Sequence, residues 1–282
     1  MSMLRSLYYA LPPAMRFRAR RLWYAPLDLW ESISGKRDVL TPPRGLIFTG
    51  GGDFRAQGDR MAEVFRRHAG LLPRHRVLDI GSGIGRIAVP LTGILDASGS
   101  YEGFDVVEMG VRWCQKRIST RFPRFQFRYV PLANDLYRAD GQEADQFRFP
   151  YADADFEFAC AISVFTHFLP DEVEQYLRET SRVLKPGGTF CATFFLLNAA
   201  SEALLPGRTQ FAFPHDHGHY RLMDERVRAA NVSFREDWLR ALAQGCGLGI
   251  EAIHYGYWCG REKGECIDFQ DVVVFRRMKQ DA

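Results

Sequence analysis

The side chains best suited to chemistry begin in one short stretch, RVLDIGSGIGRIAVPL, Arg76 to Leu91. An apolar run ending in Asp79 and Ile80 leads into Gly81, Ser82, Gly83 and Gly85, and a helix-like pattern follows at once. Glycines at this spacing let the backbone approach a nucleoside-type ligand closely. The spacing is G-x-G-x-G, with Arg86 where a dinucleotide fingerprint places its third glycine. A dinucleotide also rests its diphosphate on such a turn, where the Asp79 carboxylate repels it. Asp79 suits a ligand that brings positive charge, such as an α-ammonium group.

Asp105 closes the next strand-like run, twenty residues beyond Gly85. A carboxylate there can accept both hydroxyls of a ribose. An ammonium at one end and a ribose at the other describe S-adenosylmethionine. Farther along, SVFTH places Ser163 to His167 after the fourth strand-like run, at the edge where open α/β sheets bind ligands. Methyl transfer from a sulfonium needs chiefly alignment of the acceptor and exclusion of water. A hydroxyl acceptor must also lose its proton, and His167 is the best-placed base, with a helix-capping role as its competing reading.

Elements that could hold these residues follow from the periodicity. Strand patterns lie at Val77–Ile80, Tyr101–Asp105, Phe125–Val130, Phe156–Ile162, Thr189–Leu196, Gly249–Tyr257 and Gln270–Phe275. Helical patterns lie at residues 55–70, Gly85–Leu95, Glu108–Phe122, Asp171–Leu184 and Arg235–Gln244. Such alternation predicts parallel βαβ units with helices on both faces of one sheet. With no helix between the last two strands, the final one is expected to pair antiparallel.

The chain has 282 residues, 46% hydrophobic and 25% charged, an ordinary globular composition. Its net charge of +3 does not argue for nucleic acid. Through Arg44, eight basic residues stand against three acidic ones. No apolar run approaches the roughly 18 residues needed to cross a bilayer, and Arg5 interrupts any signal-peptide core. The six cysteines form no CxxC pair and read as buried free thiols of a cytoplasmic protein.

The segments VLDIGSGIGR, YEGFD, FPYADADFEFACAISVFTH and RVLKPGG, in this order, resemble a class I S-adenosylmethionine-dependent methyltransferase over about residues 45–275. The resemblance implies a Rossmann-like, seven-stranded, mostly parallel sheet with its last strand antiparallel. It implies that Asp79 and residues Gly81 to Gly85 hold the methionine part and Asp105 the ribose. Val106, Asn134 and Ser163 complete the expected cofactor contacts, and RVLKPGG is a structural turn before the fifth strand. Two departures stand out: Glu157 replaces the usual Asp after Phe156, and VPLAND offers only Asn134 or Asp135 near the adenine.

The sequence after the fourth strand lacks the Asn/Asp-Pro-Pro-aromatic run of nucleic-acid amino-methylases, and Cys160 follows Ala159 rather than a proline. The expected acceptor is therefore a small molecule, lipid or glycan, methylated on a hydroxyl, with no nucleic acid. An NAD(P)-dependent oxidoreductase is the first alternative, disfavoured by Asp79, the glycine spacing and the lack of a Tyr-x-x-x-Lys pair. A non-catalytic cofactor-binding adaptor is the second.

Two segments stand outside this scheme. Residues 198–232 interrupt the alternation and include FAFPHDHGHYR, where His215, His217 and His219 alternate. An acceptor pocket is the preferred reading there, over a metal site or a plain loop, and no metal is expected. His254 and Trp258 read as pocket lining or core. Residues 1–44 read as short helices and turns, because Pro12-Pro13 breaks any long helix. They form a basic, aromatic extension before a domain at 45–282. A lid over the cofactor is preferred to a membrane-surface anchor or a partner-binding arm.

Overall fold

A computed structural model describes residues 13–48, 50, 52–132, 143–208, 210–225, 227 and 230–279. In chain order the strands are β1 Arg76–Ile80, β2 Ser100–Asp105, β3 Phe125–Tyr129, β4 Phe156–Ala161 and β5 Leu184–Phe194. Then come the short β6 Leu196–Leu197, β7 His215–Asp216, β8 Tyr220–Leu222 and β9 Val232–Arg235, followed by β10 Leu248–His254 and β11 Asp271–Arg277. The helices are α1 Pro13–Ile33, α2 Phe54–His68, α3 Ala88–Leu91, α4 Glu108–Cys114, α5 Pro170–Val183, α6 Ala199–Leu204 and α7 Glu236–Gly245.

All seven expected strands join one sheet, ordered β10-β11-β5-β4-β1-β2-β3. β1 to β5 pair parallel, and β11 pairs antiparallel with both β5 and β10. The chain moves outward from β1 to β3 and then returns to lay β4 against the other side of β1. That reversal opens a crevice beyond the carboxyl ends of β1 and β4. Both faces of the central strands are buried, one in a core with α5 and α7, the other with α2 and α4. This is why the strands read as apolar runs rather than alternations.

Local chemistry explains most boundaries. Asp53 caps α2 by accepting from the Ala56 amide at 2.7 Å, and the helix stops before Gly70, whose φ is +67°. Arg182, at the end of α5, donates to the carbonyls of Phe149 and Tyr151 and to the Asp153 carboxylate. Glu179 accepts from the Phe149 amide at 2.7 Å, so one ion pair pins the segment that leads into β4. In β5 the pairing passes from Phe156 opposite Leu184 to Phe158 opposite Thr189, leaving Lys185–Gly188 bulged from the ladder. The RVLKPGG turn is thus a bulge inside a longer strand.

Three expectations need correction. The helix expected over Gly85–Leu95 shrinks to the four-residue α3. Pro90 has no amide to donate to the Arg86 carbonyl, and Gly58 of α2 packs so closely on that carbonyl that a Cβ would lie 2.4 Å from it. Among its described residues the 1–44 stretch is mainly one helix: α1 runs 21 residues from Pro13 and carries Pro26 within it. Pro13 lies in α1 as its first described residue, and Pro12 lies outside the described residues. The 198–232 insertion contains α6 and most of a second sheet, ordered β6-β9-β8-β7.

That small sheet has its own core at the carboxyl edge of the main one. Phe195, Leu197, Leu205, Phe213, Trp258 and Cys259 are all buried together there. Among the described residues no helix is long and apolar enough to cross a membrane. Five of the six cysteines are buried, Cys266 is half-buried, and all are free thiols.

Candidate active site

The glycine turn folds as a left-handed succession. Gly81, Gly83 and Gly85 have φ of +76°, +56° and +81°, a region that side chains disfavour. Close packing adds a second demand. A Cβ on Gly81 would lie 2.6 Å from Val164, and one on Gly85 would lie 2.7 Å from Ile118. The turn is tied to β2, with the amides of Gly81 and Ser82 both donating to the Phe104 carbonyl at 3.0 Å.

Asp105, at the end of β2, holds the turn from the other side. One carboxylate oxygen accepts from the Gly83 amide and the other from the Val107 amide, both at 2.7 Å. Burial pushes its carboxyl up to about 6, against the opposing pull of the Val107, Gly83 and Val106 amides. Even with these amides in place, the carboxylate's roughly four lone-pair sites leave room to accept from a ribose hydroxyl. Ser82 is buried beside it, and its hydroxyl has no hydrogen-bond partner among the described residues. An orphaned buried hydroxyl next to an incompletely satisfied carboxylate suits a polar ligand.

Asp79 departs from its expected position. Its carboxylate accepts from the Tyr101 hydroxyl at 2.5 Å and faces the Cys160 thiol at 3.5 Å, with 1% of the residue exposed. Burial raises its carboxyl to about 6, the Tyr101 hydrogen bond lowers it, and the Asp105 charge raises it again. The side chain therefore lies within the core, held on Tyr101 and Cys160. Alternation along β1 explains this: Ile80 takes one face, and Asp79 the face that Tyr101 and Cys160 share.

Beyond β4 the chain turns sharply. Ser163 has φ of +59°, a costly conformation for a non-glycine residue. It is held there by its amide donating to the Thr193 hydroxyl at 2.7 Å and its hydroxyl bonding Gln270 at 3.0 Å. His167 follows on a single 3-10 turn, Phe165–His167, and is half-buried at the crevice rim. Ser163 and His167 thus share one short segment at the carboxyl edge that also ends β1 and β2. Asn134 and Asp135 lie outside the described residues.

The three alternating histidines do not act together. His215 and His217 both face Glu225, at 3.6 and 3.8 Å. His219 stacks on Trp238, with ring centroids 5.0 Å apart. Among the described residues no three His, Cys, Asp or Glu side chains converge as metal ligands would. Trp258 is core: it is fully buried and donates to Asp271 at 2.7 Å. His254 is half-buried, edge-on to His68 at 4.6 Å, and burial lowers its basicity.

Sequence reasoning missed two residues that organise the site. Tyr101 supports Asp79. Asp271, wholly buried at the start of β11, accepts from the Leu196 and Gly256 amides and from Trp258, each at 2.7 Å. It fastens the insertion to the main sheet. The signal was present in FQDVVVF, where a lone carboxylate precedes four apolar strand residues.

Residues 78–192 match the family model described as a methyltransferase domain. With the sheet order and the glycine turn, this match supports a class I S-adenosylmethionine-dependent methyltransferase domain. Methyltransferase GfsG of Streptomyces halstedii is 30% identical over 138 residues, which cover 46% of this chain and 41% of that protein. The 27-O-demethylrifamycin SV methyltransferase of Amycolatopsis mediterranei is 32% identical over 141 residues, 46% of this chain and 43% of its own. The matched parts thus span less than half the length of these relatives. The fold is similar to that of 1,6-didemethyltoxoflavin-N1-methyltransferase of Burkholderia thailandensis, solved with its substrate and S-adenosylhomocysteine. That likeness has a TM-score of 0.51 at 17% identity, over 95% of this chain and 92% of the other.

Proposed function

We propose that this protein transfers the methyl group of S-adenosylmethionine to a hydroxyl of a small-molecule acceptor. The observation that carries the reading is Asp105, a buried carboxylate at a strand end that clamps the glycine turn and keeps room to accept from a ribose hydroxyl. The cofactor, when bound, supplies an electrophilic methyl on a sulfonium with a good leaving group.

This chain's residues have three tasks. Asp105 accepts the ribose hydroxyls while its bonds to Gly83 and Val107 keep it from turning away. The Ser82 hydroxyl and the turn's backbone hold the amino-acid end. His167 takes the proton from the acceptor hydroxyl, and Ser163 shapes the segment that carries it. The insertion, with its own core at the same sheet edge, covers the acceptor and excludes water. The relative named as a 27-O-demethylrifamycin SV methyltransferase supports this choice of acceptor and of oxygen.

The test has two arms. Calorimetry should show S-adenosylmethionine and S-adenosylhomocysteine binding without added metal, with no comparable binding of NAD or NADP. Methyl-labelled S-adenosylmethionine, incubated with small-molecule, lipid and glycan extracts, should label a small molecule on oxygen, read by product mass. Tight NAD binding alone, or cofactor binding with no labelled product, overturns the reading.

A further inference from the structure

Helix α1 is laid on the protein the wrong way round. A surface helix normally turns its apolar stripe toward the core and its charges toward water. Here Met15, Leu22, Trp23, Leu27, Leu29, Trp30 and Ile33 are all exposed, with Trp23 at 80%, Ile33 at 79% and Leu22 at 76%. These seven make up most of the eleven exposed large hydrophobic residues among those described. At 3.6 residues per turn they share one broad stripe along the helix, and Pro26 lies within it.

The opposite face is polar and occupied. Asp28 accepts from the Arg44 and Gly45 amides at 2.7 and 3.0 Å and from the Arg37 guanidinium at 3.2 Å. Glu31 pairs with Arg44 at 2.7 Å and with Arg37 at 3.6 Å. Phe17 meets Phe48 edge-on with centroids 5.7 Å apart. Both acidic residues of the helix are therefore spent on holding it to the 37–48 segment. The exposed charges between residues 15 and 38 are the basic Arg18, Arg21 and Lys36 and one acid, Asp38, which pairs with Arg55 at 3.8 Å and accepts from Thr41. Lys36 sits over the Trp30 ring at 4.3 Å.

We infer that this face docks on a lipid bilayer surface containing anionic phospholipids. An apolar stripe with two tryptophans, bordered by Arg18 and Lys36, matches a helix lying in the interfacial plane. At 21 residues the helix is ~30 Å long, and it lies along the surface rather than crossing it. Charge decides between this occupant and a second copy of the chain. Two such faces packed together would set arginine and lysine against each other, with Asp38, already paired with Arg55, as the one exposed acid near them. An anionic surface meets the same basic residues with opposite charge.

The experiment uses the full chain with vesicles of phosphatidylcholine and of phosphatidylcholine mixed with phosphatidylglycerol. The protein should sediment with the mixed vesicles, shift its tryptophan emission to the blue, and dissociate as salt is raised. The triple variant Leu22→Glu, Trp23→Glu, Ile33→Glu should bind the mixed vesicles at least about tenfold less, because three insertions are replaced by like-charge repulsion. It should keep the parent's melting temperature and cofactor affinity, since these side chains touch neither core nor crevice. Two results overturn the inference: no sedimentation of the parent with mixed vesicles, or equal sedimentation of parent and variant. A third is a parent dimer, by light scattering, that the variant converts to monomer. If the variant fails to fold, Trp23→Ala with Trp30→Ala replaces it and is judged by the same readouts.

Discussion

The Asp105 carboxylate accepts from the Gly83 amide at 2.7 Å, so the residue expected to hold the ribose also fixes the shape of the turn that the cofactor rests on. The two functions separate by substitution. Asp105→Asn keeps one acceptor oxygen but turns an amide toward either Gly83 or Val107, both donors. Affinity for S-adenosylhomocysteine should fall at least about tenfold, each charge-assisted bond being worth about 1.5–3 kcal/mol. An unchanged dissociation constant by calorimetry in a folded variant places the ribose elsewhere.

Acid should weaken cofactor binding in a definite window. Burial raises the carboxyls of Asp79 and Asp105 to about 6, so both are largely ionised at neutral pH and protonated one unit below that value. A sulfonium with an ammonium favours ionised carboxylates and lowers their pKa on binding, which releases protons. Affinity for S-adenosylmethionine should therefore decline as pH falls from about 7 to about 5. Calorimetry in buffers of different ionisation enthalpy should detect proton release near pH 6. A flat profile rules out coupling to these two groups.

Tyr101→Phe should act on the same profile from within the core. It removes the hydrogen bond that lowers the Asp79 pKa, so the acid midpoint of cofactor binding should move upward. Leaving a buried carboxylate one donor short should also cost about 1–3 kcal/mol in denaturant unfolding. Stability lost with no change of midpoint would give Tyr101 a packing role alone.

His167→Ala separates chemistry from binding. Cofactor affinity should stay close to the parent's, and turnover should drop by about a hundredfold or more. Retained turnover across the neutral range assigns proton removal to another group.

Gly81→Ala tests the turn itself. The new methyl meets Val164 at 2.6 Å in a backbone of positive φ, so about 1–3 kcal/mol of stability should be lost. Because Val164 adjoins Ser163, turnover should fall together with cofactor affinity. Parent-like values for both in a thermal and kinetic comparison would show a more yielding turn.

The glycine turn, Asp105 and the seven strands were legible because their signals are local: a run, a spacing, a charge at a strand end. The partner of Asp79 was not. In the β1–β2 ladder Asp79 lies opposite Gly103, and Tyr101 stands two residues back on the same face, a diagonal that exists only once the register is set. The long α1 was hidden by treating its prolines as breakers, yet Pro26 lies within the helix. The three histidines looked equivalent in the sequence, yet the β7–β8 pairing turned His215 and His217 to Glu225 while His219 went to Trp238.

Asp271 gives the crevice a divided construction. One wall is fastened through Asp105 and the glycine turn; the other, with its separate aromatic core, hangs from Asp271 through Leu196, Gly256 and Trp258. Because the two fastenings share no residue, side chains in the β7–β8 hairpin can be exchanged without loosening the opposite wall. On the proposed reading, in which the insertion covers the acceptor, a library confined to residues 211–225 should recover new acceptors while cofactor affinity stays level.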